Sequence, residues 1–233
     1  MAERSLGRRL WYEYLRLVCR LLGVALYRVR CTGRENVPAT GGVLVLSNHQ
    51  SQFDPVLVGL AIDRRLNYLA RETLFRFAPF RWLIKSFDAI PIDREGLGLA
   101  GLKETLRRLK RGELVLIFPE GTRTPDGEVH PLKPGFSALA RRCNVPLLPV
   151  AVDGAFDAWP RWQPLPGLST IHVHIGEPIS AEQSKAFDER ALVVEVERRI
   201  RDCHEVVRAR RLKAMGCDGS ARTIPSAVIG ASP

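Results

Sequence analysis

Val43-Leu44-Val45-Leu46-Ser47-Asn48-His49-Gln50-Ser51-Gln52-Phe53-Asp54-Pro55 is the stretch on which the fold of this chain turns. Four β-prone apolar residues run without a break and then give way to a polar loop. That texture fits a strand covered on both faces, as in a parallel sheet. In open α/β sheets, functional residues collect at the carboxyl ends of the strands, where this loop begins. His49 and Asp54 lie five positions apart and meet if the loop turns back. Asp54 then accepts from one ring nitrogen of His49, fixes its tautomer, and leaves the other nitrogen as a general base. The plainer alternative is that Asp54-Pro55 is a helix N-cap followed by its first residue, with His49 an ordinary loop histidine.

The same grammar repeats downstream. Leu114-Val115-Leu116-Ile117 precedes Phe118-Pro119-Glu120-Gly121-Thr122-Arg123-Thr124. Gly121 permits a turn whose N–H groups face an anion, Thr122 offers a hydroxyl and Arg123 a fork suited to phosphate. Glu120 either holds Arg123 or accepts from a substrate hydroxyl. A tight turn with a surface ion pair explains the same residues without function. Lys133 precedes a predicted helix start, a place that favours anions. Ile90-Pro91-Ile92-Asp93-Arg94 adds Arg94 as a phosphate candidate or as part of a helix-capping pair. Val145-Pro146-Leu147-Leu148-Pro149-Val150 holds no reactive group and reads as a buried strand suited to lining an apolar site.

Around these blocks the chain alternates short β-rich runs with helical periods, the pattern of a single α/β domain. Strands are expected over 29–32, 43–47, 67–70, 89–91, 114–118, 147–152 and 170–175. Helices are expected over 55–62, 76–85, 97–110, 135–142 and 181–213. Residues 153–168, with Pro160, Pro164, Pro166, Trp159 and Trp162, read as an irregular excursion. Residues 5–28 form a helix whose apolar stripe is Leu10, Tyr14, Leu17, Val18, Leu21, Leu22 and Ala25, with many Arg around it. Such a helix lies in a membrane surface or packs its stripe on the core. No stretch reaches the roughly 18–20 uncharged apolar residues of a spanning helix. The domain limits expected are an amphipathic segment over 1–30, the main domain over 31–213, and a small, polar, disordered tail over 214–233.

Lys and Arg outnumber Asp and Glu by 35 to 25, a formal charge of +10, which favours partners bearing phosphate. No nucleic-acid motif accompanies that charge. The five cysteines are odd in number and never spaced C-x-x-C, which argues against a disulfide framework or structural zinc and for a reducing compartment. The N-terminus lacks the pattern of a cleaved signal peptide. His172 and His174 alternate on one strand face without a third metal ligand.

Taken in order, His49–Asp54, Ile92–Arg94, Phe118–Arg123 and Val145–Pro149 resemble the four blocks of the glycerolipid acyltransferase family, above all the 1-acylglycerol-3-phosphate acyltransferases. The first and third blocks match the N-H-x4-D and F-P-E-G-T-R patterns without substitution, and Gly176-Glu177-Pro178-Ile179 resembles the strand that ends the domain. The likeness spans about residues 31–180. It implies a mixed, mostly parallel central sheet flanked by helices. It implies His49 as base with Asp54 orienting it, and Arg94, Glu120, Gly121, Thr122, Arg123 and Lys133 around the acceptor's glycerol phosphate. The donor implied is acyl-CoA or acyl-carrier protein as co-substrate, with no metal or organic cofactor. The acceptor implied is lysophosphatidic acid, met by a peripheral, monotopic enzyme at the cytoplasmic face of the membrane. Glycerol 3-phosphate, a lysophospholipid or a non-phosphate lipid as acceptor, and thioester hydrolysis, are the alternatives.

Overall fold

The computed structural model describes residues 6–71, 90–92 and 98–216. In chain order its elements are α1 (Leu6–Tyr27), β1 (Arg30–Thr32), a 3-10 turn (Arg34–Asn36), β2 (Val43–Ser47), α2 (Asp54–Ala61), β3 (Leu66–Arg71), β4 (Ile90–Ile92), α3 (Gly98–Lys110), β5 (Leu114–Ile117), α4 (Gly135–Cys143), β6 (Leu147–Asp153), α5 (Ala155–Ala158), β7 (His172–Ile175), α6 (Ala181–Ala186) and α7 (Glu189–Ala214).

β2 is buried at every position, as an apolar run covered on both faces must be. Its side chains alternate between two cores. Val43 and Val45 join Leu57, Val58 and Ala61 of α2, while Leu44 and Leu46 join Phe136 and Leu139 of α4 and Leu192, Val196 and Ile200 of α7. β5 divides in the same way, Leu114 and Leu116 to one side and Val115 and Ile117 to the other. The two strands pair in parallel from Val43↔Leu114 to Leu46↔Ile117.

The seven-stranded sheet has the order β1-β7-β6-β2-β5-β3-β4, and only the β6–β7 pairing is antiparallel. From β2 the chain crosses by α2 to β3 on one side; from β5 it crosses by α4 to β6 on the other. Right-handed crossovers in opposite directions put α2 and α4 on opposite faces. They also part the loops that follow β2 and β5 at the carboxyl edge, the place where such sheets hold ligands.

The expected strands each lie within two residues of an observed one. The helix expected at 76–85 lies outside the described residues. The single helix expected over 181–213 is two helices. Phe187 is extended, and Asp188 starts α7 by accepting from the Ala191 N–H at 2.7 Å. Ser180 and Gln183 form a reciprocal capping box that starts α6. The periodicity continues across the break; the caps set it. The excursion over 153–168 is irregular except for Asp153, which ends β6, and for α5.

α1 turns its stripe away from the domain. Leu10, Tyr14, Leu17, Leu21 and Leu22 are each more than half exposed, so the stripe does not pack on the core. The helix is fastened by its other side. Tyr12 is buried with the Arg65 guanidinium over its ring, and Arg16 donates to the Ile62 carbonyl at 2.8 Å and to Asp63 at 2.9 Å. Among the described residues no helix is long and apolar enough to cross a membrane.

Beyond Ser47↔Val150, Asn48 continues the β2–β6 ladder with its side chain. Its Nδ2 donates to the Val152 carbonyl at 2.9 Å, and its Oδ1 accepts from the Val152 N–H at 2.8 Å. Asn48→Ala leaves both backbone groups buried and unpaired, and we expect a loss of about 2–4 kcal/mol in urea unfolding. A loss below about 0.5 kcal/mol would show that the ladder closes without this side chain.

Candidate active site

The loop after β2 folds back on itself. His49 Nδ1 lies 2.8 Å from Asp54 Oδ2, the pair that the five-residue spacing predicts. The same oxygen accepts from the N–H of Gln50 at 2.6 Å and of Ser51 at 2.7 Å. With three donors converging on Oδ2, the shared proton sits on Nδ1 and the lone pair on Nε2. Asp54 is fully buried, whereas the His49 side chain keeps 19% of its surface. The expected cap geometry is modified. Asp54 is the first residue of α2 and Phe53 the cap, with no side-chain bond to the helix N–H groups. The Asp54 carboxylate instead reaches backward to the loop. Pro55 costs the helix nothing there, since an N–H in the first turn has no helical partner.

The loop after β5 grips His49 from the other strand. Its N–H donates to Glu120 Oε1 at 2.9 Å, and its carbonyl accepts from the Thr124 N–H at 2.7 Å. Its ring stacks on Phe118 with centroids 4.0 Å apart and planes 15° apart. The two blocks, 71 residues apart between His49 and Glu120, are one site.

Gly121 makes the turn with φ 74°, and the place where a Cβ would stand is 2.9 Å from Lys133 Nζ. The lysine therefore lies across the glycine, held also by its backbone N–H on the Pro119 carbonyl at 2.9 Å. Lys133 is exposed and directly precedes α4, whose capping residue, Pro134, makes no side-chain bond to the helix. Gly121 and Thr122 are exposed and Arg123 is half-buried. A cation, a turn of backbone and a helix N-terminus thus converge beside the histidine, a setting that suits an anion. Arg94 lies outside the described residues.

Glu120 is turned inward. It is buried, and its Oε2 has no hydrogen-bond partner among the described residues. Burial pushes its carboxyl up to about 7 against the pull of the His49 N–H. It neither reaches a substrate surface nor needs Arg123 to explain its place. Farther along the loop, burial would raise the Asp126 carboxyl, but the Thr124 hydroxyl, the Glu128 N–H and His130 hold it down to about 2. Thr124 and Asp126 are bonded at 2.7 Å, which fixes the turn that follows the third block.

Residues 145–150 do not line an open site. Pro149 pairs with Leu46 in mid-sheet, and Leu147, Leu148 and Val150 are fully buried in the core. Their part is to seat β2. His174 bonds Thr32 Oγ1 at 2.9 Å across the β1–β7 pair.

Sequence patterning missed Gln50. Its buried amide accepts from the Phe156 N–H at 3.2 Å and donates to the Gly127 carbonyl at 2.7 Å, with His204 Nε2 at 3.2 Å. His204 lies 3.5 Å from Asp153, which Arg211 holds at 2.5 Å. Burial works against the charge of Asp153, and its histidine and arginine partners hold the carboxyl well below the usual range. A lone glutamine in a polar loop carries no signal of this. Phe118 did carry one, as the apolar residue that ends a strand just before a polar block.

The acyltransferase family profile matches residues 28–153. The chain is 35% identical over 127 residues to a 1-acyl-sn-glycerol-3-phosphate acyltransferase of Bacillus subtilis, covering 54% of this chain and 63% of that one. It is 36% identical over 179 residues to the enzyme of that name from Pseudomonas aeruginosa, covering 74% of this chain and 66% of the relative. It thus spans just under two thirds of each. The crystal structure of the 1-acyl-sn-glycerophosphate acyltransferase of Thermotoga maritima superposes with a TM-score of 0.73 at 26% identity, over 95% of this chain and 86% of that one.

The raised carboxyl of Glu120 fixes the sign of a pH effect. Its folded value of about 7 exceeds the ordinary 4.5, so the stability tied to its proton is complete below 4.5 and is lost as pH rises through 7. Glu120→Gln keeps an acceptor for the His49 N–H and removes that loss. We expect the variant to gain on wild type across this window, by on the order of 3 kcal/mol at most above pH 8. Parallel curves of unfolding midpoint against pH for the two proteins would rule this out.

Proposed function

The chain belongs to the acyltransferase family, and we propose that it transfers a fatty acyl group from an acyl thioester to the sn-2 hydroxyl of a 1-acylglycerol 3-phosphate, yielding phosphatidic acid for phospholipid synthesis. The observation that carries this is the union of the two loops: a histidine ordered by a buried carboxylate, locked against a glycine turn crossed by Lys133. A base and an anion cradle side by side suit an acceptor that bears both a hydroxyl and a phosphate. The names of the relatives support the same acceptor.

A glycerol hydroxyl is a poor nucleophile at neutral pH. His49 Nε2 takes its proton as the oxygen attacks the thioester carbonyl. Asp54 stabilises the imidazolium through Nδ1–H, the part an Asp plays in a Ser-His-Asp triad. The tetrahedral intermediate collapses, the carbon–sulfur bond breaks, and the thiolate recovers the proton from His49. The substrate hydroxyl replaces an enzyme serine, so no acyl-enzyme forms. Lys133, Arg123 and the Gly121 turn, joined by Arg94, hold the phosphate with Thr122 at hand, which places the hydroxyl by the base. Glu120 acts through His49, whose backbone it positions. The donor is an acyl-CoA or acyl-carrier protein, and the reaction calls for no metal or organic cofactor.

Both substrates carry long apolar chains, which accounts for the exposed stripe of α1. It lies in the membrane surface as a monotopic anchor at the cytoplasmic face, in keeping with the free Cys19, Cys31, Cys143 and Cys203.

The first test is turnover of lysophosphatidic acid, glycerol 3-phosphate and a lysophospholipid with acyl-CoA and acyl-carrier-protein donors. Phosphatidic acid is the expected product. Release of free thiol without an acceptor would point to hydrolysis instead. His49→Ala should lower kcat by about a thousandfold with acceptor binding kept; unchanged turnover would end the assignment. Lys133→Ala should raise the KM for the phosphate-bearing acceptor by about tenfold and spare kcat.

Deleting residues 1–28 should move the protein from the membrane to the soluble fraction. Continued sedimentation with membranes would remove α1 as the anchor.

A further inference from the structure

Trp159-Pro160-Arg161-Trp162-Gln163-Pro164-Leu165-Pro166-Gly167-Leu168 follows α5 and carries its apolar side chains outward. Trp162 is 62% exposed, Leu165 74% and Leu168 77%. Single exposed leucines are ordinary, but three large apolar side chains within seven residues of one loop mark an interaction site. The loop is a built frame. Gly167 N–H donates to the Ala158 carbonyl at 2.7 Å, Trp159 Nε1 to the Gln163 carbonyl at 2.9 Å, and Gln163 N–H to the Pro160 carbonyl at 3.2 Å. Phe156 meets the Trp162 ring edge-on at 5.4 Å and supports it from within. Three prolines fix φ along the frame, so little freedom remains to be lost when the tips meet a partner.

Its surroundings identify that partner. Leu168 shares an open cavity of about 590 Å³ with Ala25, Leu26 and Arg28, so the loop adjoins the apolar flank of α1. Arg28 lines the cavity and exposed Arg161 adjoins Trp162, while Asp157 in the same cavity is paired with Arg211 at 2.8 Å. Apolar tips, an indole and two Arg with no acidic partner among the described residues suit the boundary of an anionic bilayer. The root of the loop also touches the active site. Trp159 packs on Phe53 at 4.9 Å and accepts from Ser51 Oγ at 2.9 Å through its carbonyl.

We propose that Trp162, Leu165 and Leu168 form a second lipid-contacting element, inserted beside α1, that fixes the tilt of the domain on an anionic bilayer. One amphipathic helix sets depth but leaves the domain free to roll about the helix axis. A second contact off that axis removes the roll, and because its root holds Ser51 and Phe53, it sets how the His49 loop faces the membrane. The element rests on the lipid-substrate reading above for its purpose, while its contact with lipid is measurable without turnover.

The test compares the full chain with Trp162→Ser/Leu165→Ser/Leu168→Ser by sedimentation with vesicles of phosphatidylcholine and phosphatidylglycerol. We expect the partition coefficient to fall by about tenfold or more, with the unfolding midpoint unchanged. Phosphatidic acid formation should fall on vesicle-borne acceptor and hold on acceptor in detergent micelles. Acyl chains brominated near the headgroup should quench tryptophan emission in wild type and less so in Trp162→Phe. Equal partition of the triple variant and wild type overturns the proposal, as does absence of wild-type binding. A wild-type dimer that the triple variant breaks, with vesicle binding kept, overturns it in favour of a second copy of this chain. If wild type binds vesicles but makes no phosphatidic acid, the acceptor assignment fails while the partition ratio still decides the lipid element.

Discussion

The peptide of His49 is held at both ends by one neighbouring loop, its N–H on Glu120 Oε1 and its carbonyl on the Thr124 N–H. The geometry of the candidate site depends on that grip. β2 and β5 deliver the two loops side by side because they pair in parallel, and their crossovers depart in opposite directions. Adjacent parallel strands bring the loops near each other but do not fix their relation to a fraction of an ångström. The grip does, together with the Phe118 stack. It is obtained at some cost. A carboxyl pushed up to about 7 by burial, with one oxygen unpartnered among the described residues, is a destabilised group kept where it orders its neighbour.

Asp54 shows how a local sequence rule and a functional one share a residue. Asp-Pro at a helix start predicts a carboxylate turned forward onto the first N–H groups of the helix. The carboxylate turns backward and collects His49, Gln50 and Ser51 on one oxygen. The three contacts behind close a loop of five residues into a ring with almost no freedom. That is what a base needs if its lone pair is to point one way.

The parts of the fold that were legible in sequence are those set by period and burial. Val43–Leu46 and Leu114–Ile117 read as double-covered strands because their faces are both apolar, and α2 and α4 begin within one residue of the expected starts. Contacts made by buried polar atoms were not legible. Glu120 looks like a surface partner for Arg123 in sequence, because nothing local shows that the strand ahead carries it under the other loop. Gln50 is the same case: its amide bridges three distant backbone and side-chain groups, and no periodicity encodes that. The split at Asp188 was written in its side chain and masked by an apolar period that continues through it.

The hydroxyls around His49 bear on the proposed transfer. Ser47 Oγ donates to the Asn48 carbonyl at 3.1 Å, Ser51 Oγ to the Trp159 carbonyl at 2.9 Å, and Thr124 Oγ1 to Asp126 at 2.7 Å. All three residues are buried. These oxygens are committed to the folds of the loops that hold His49. On the proposed reaction these three hydroxyls stay structural, and the reacting hydroxyl is the acceptor's own. A side chain at Gly121 would strain a turn at φ 74° and drive Lys133 off the loop. On the proposed reaction, the glycine and the lysine hold the acceptor's phosphate on the same loop that grips His49, which keeps the anion site and the histidine in register.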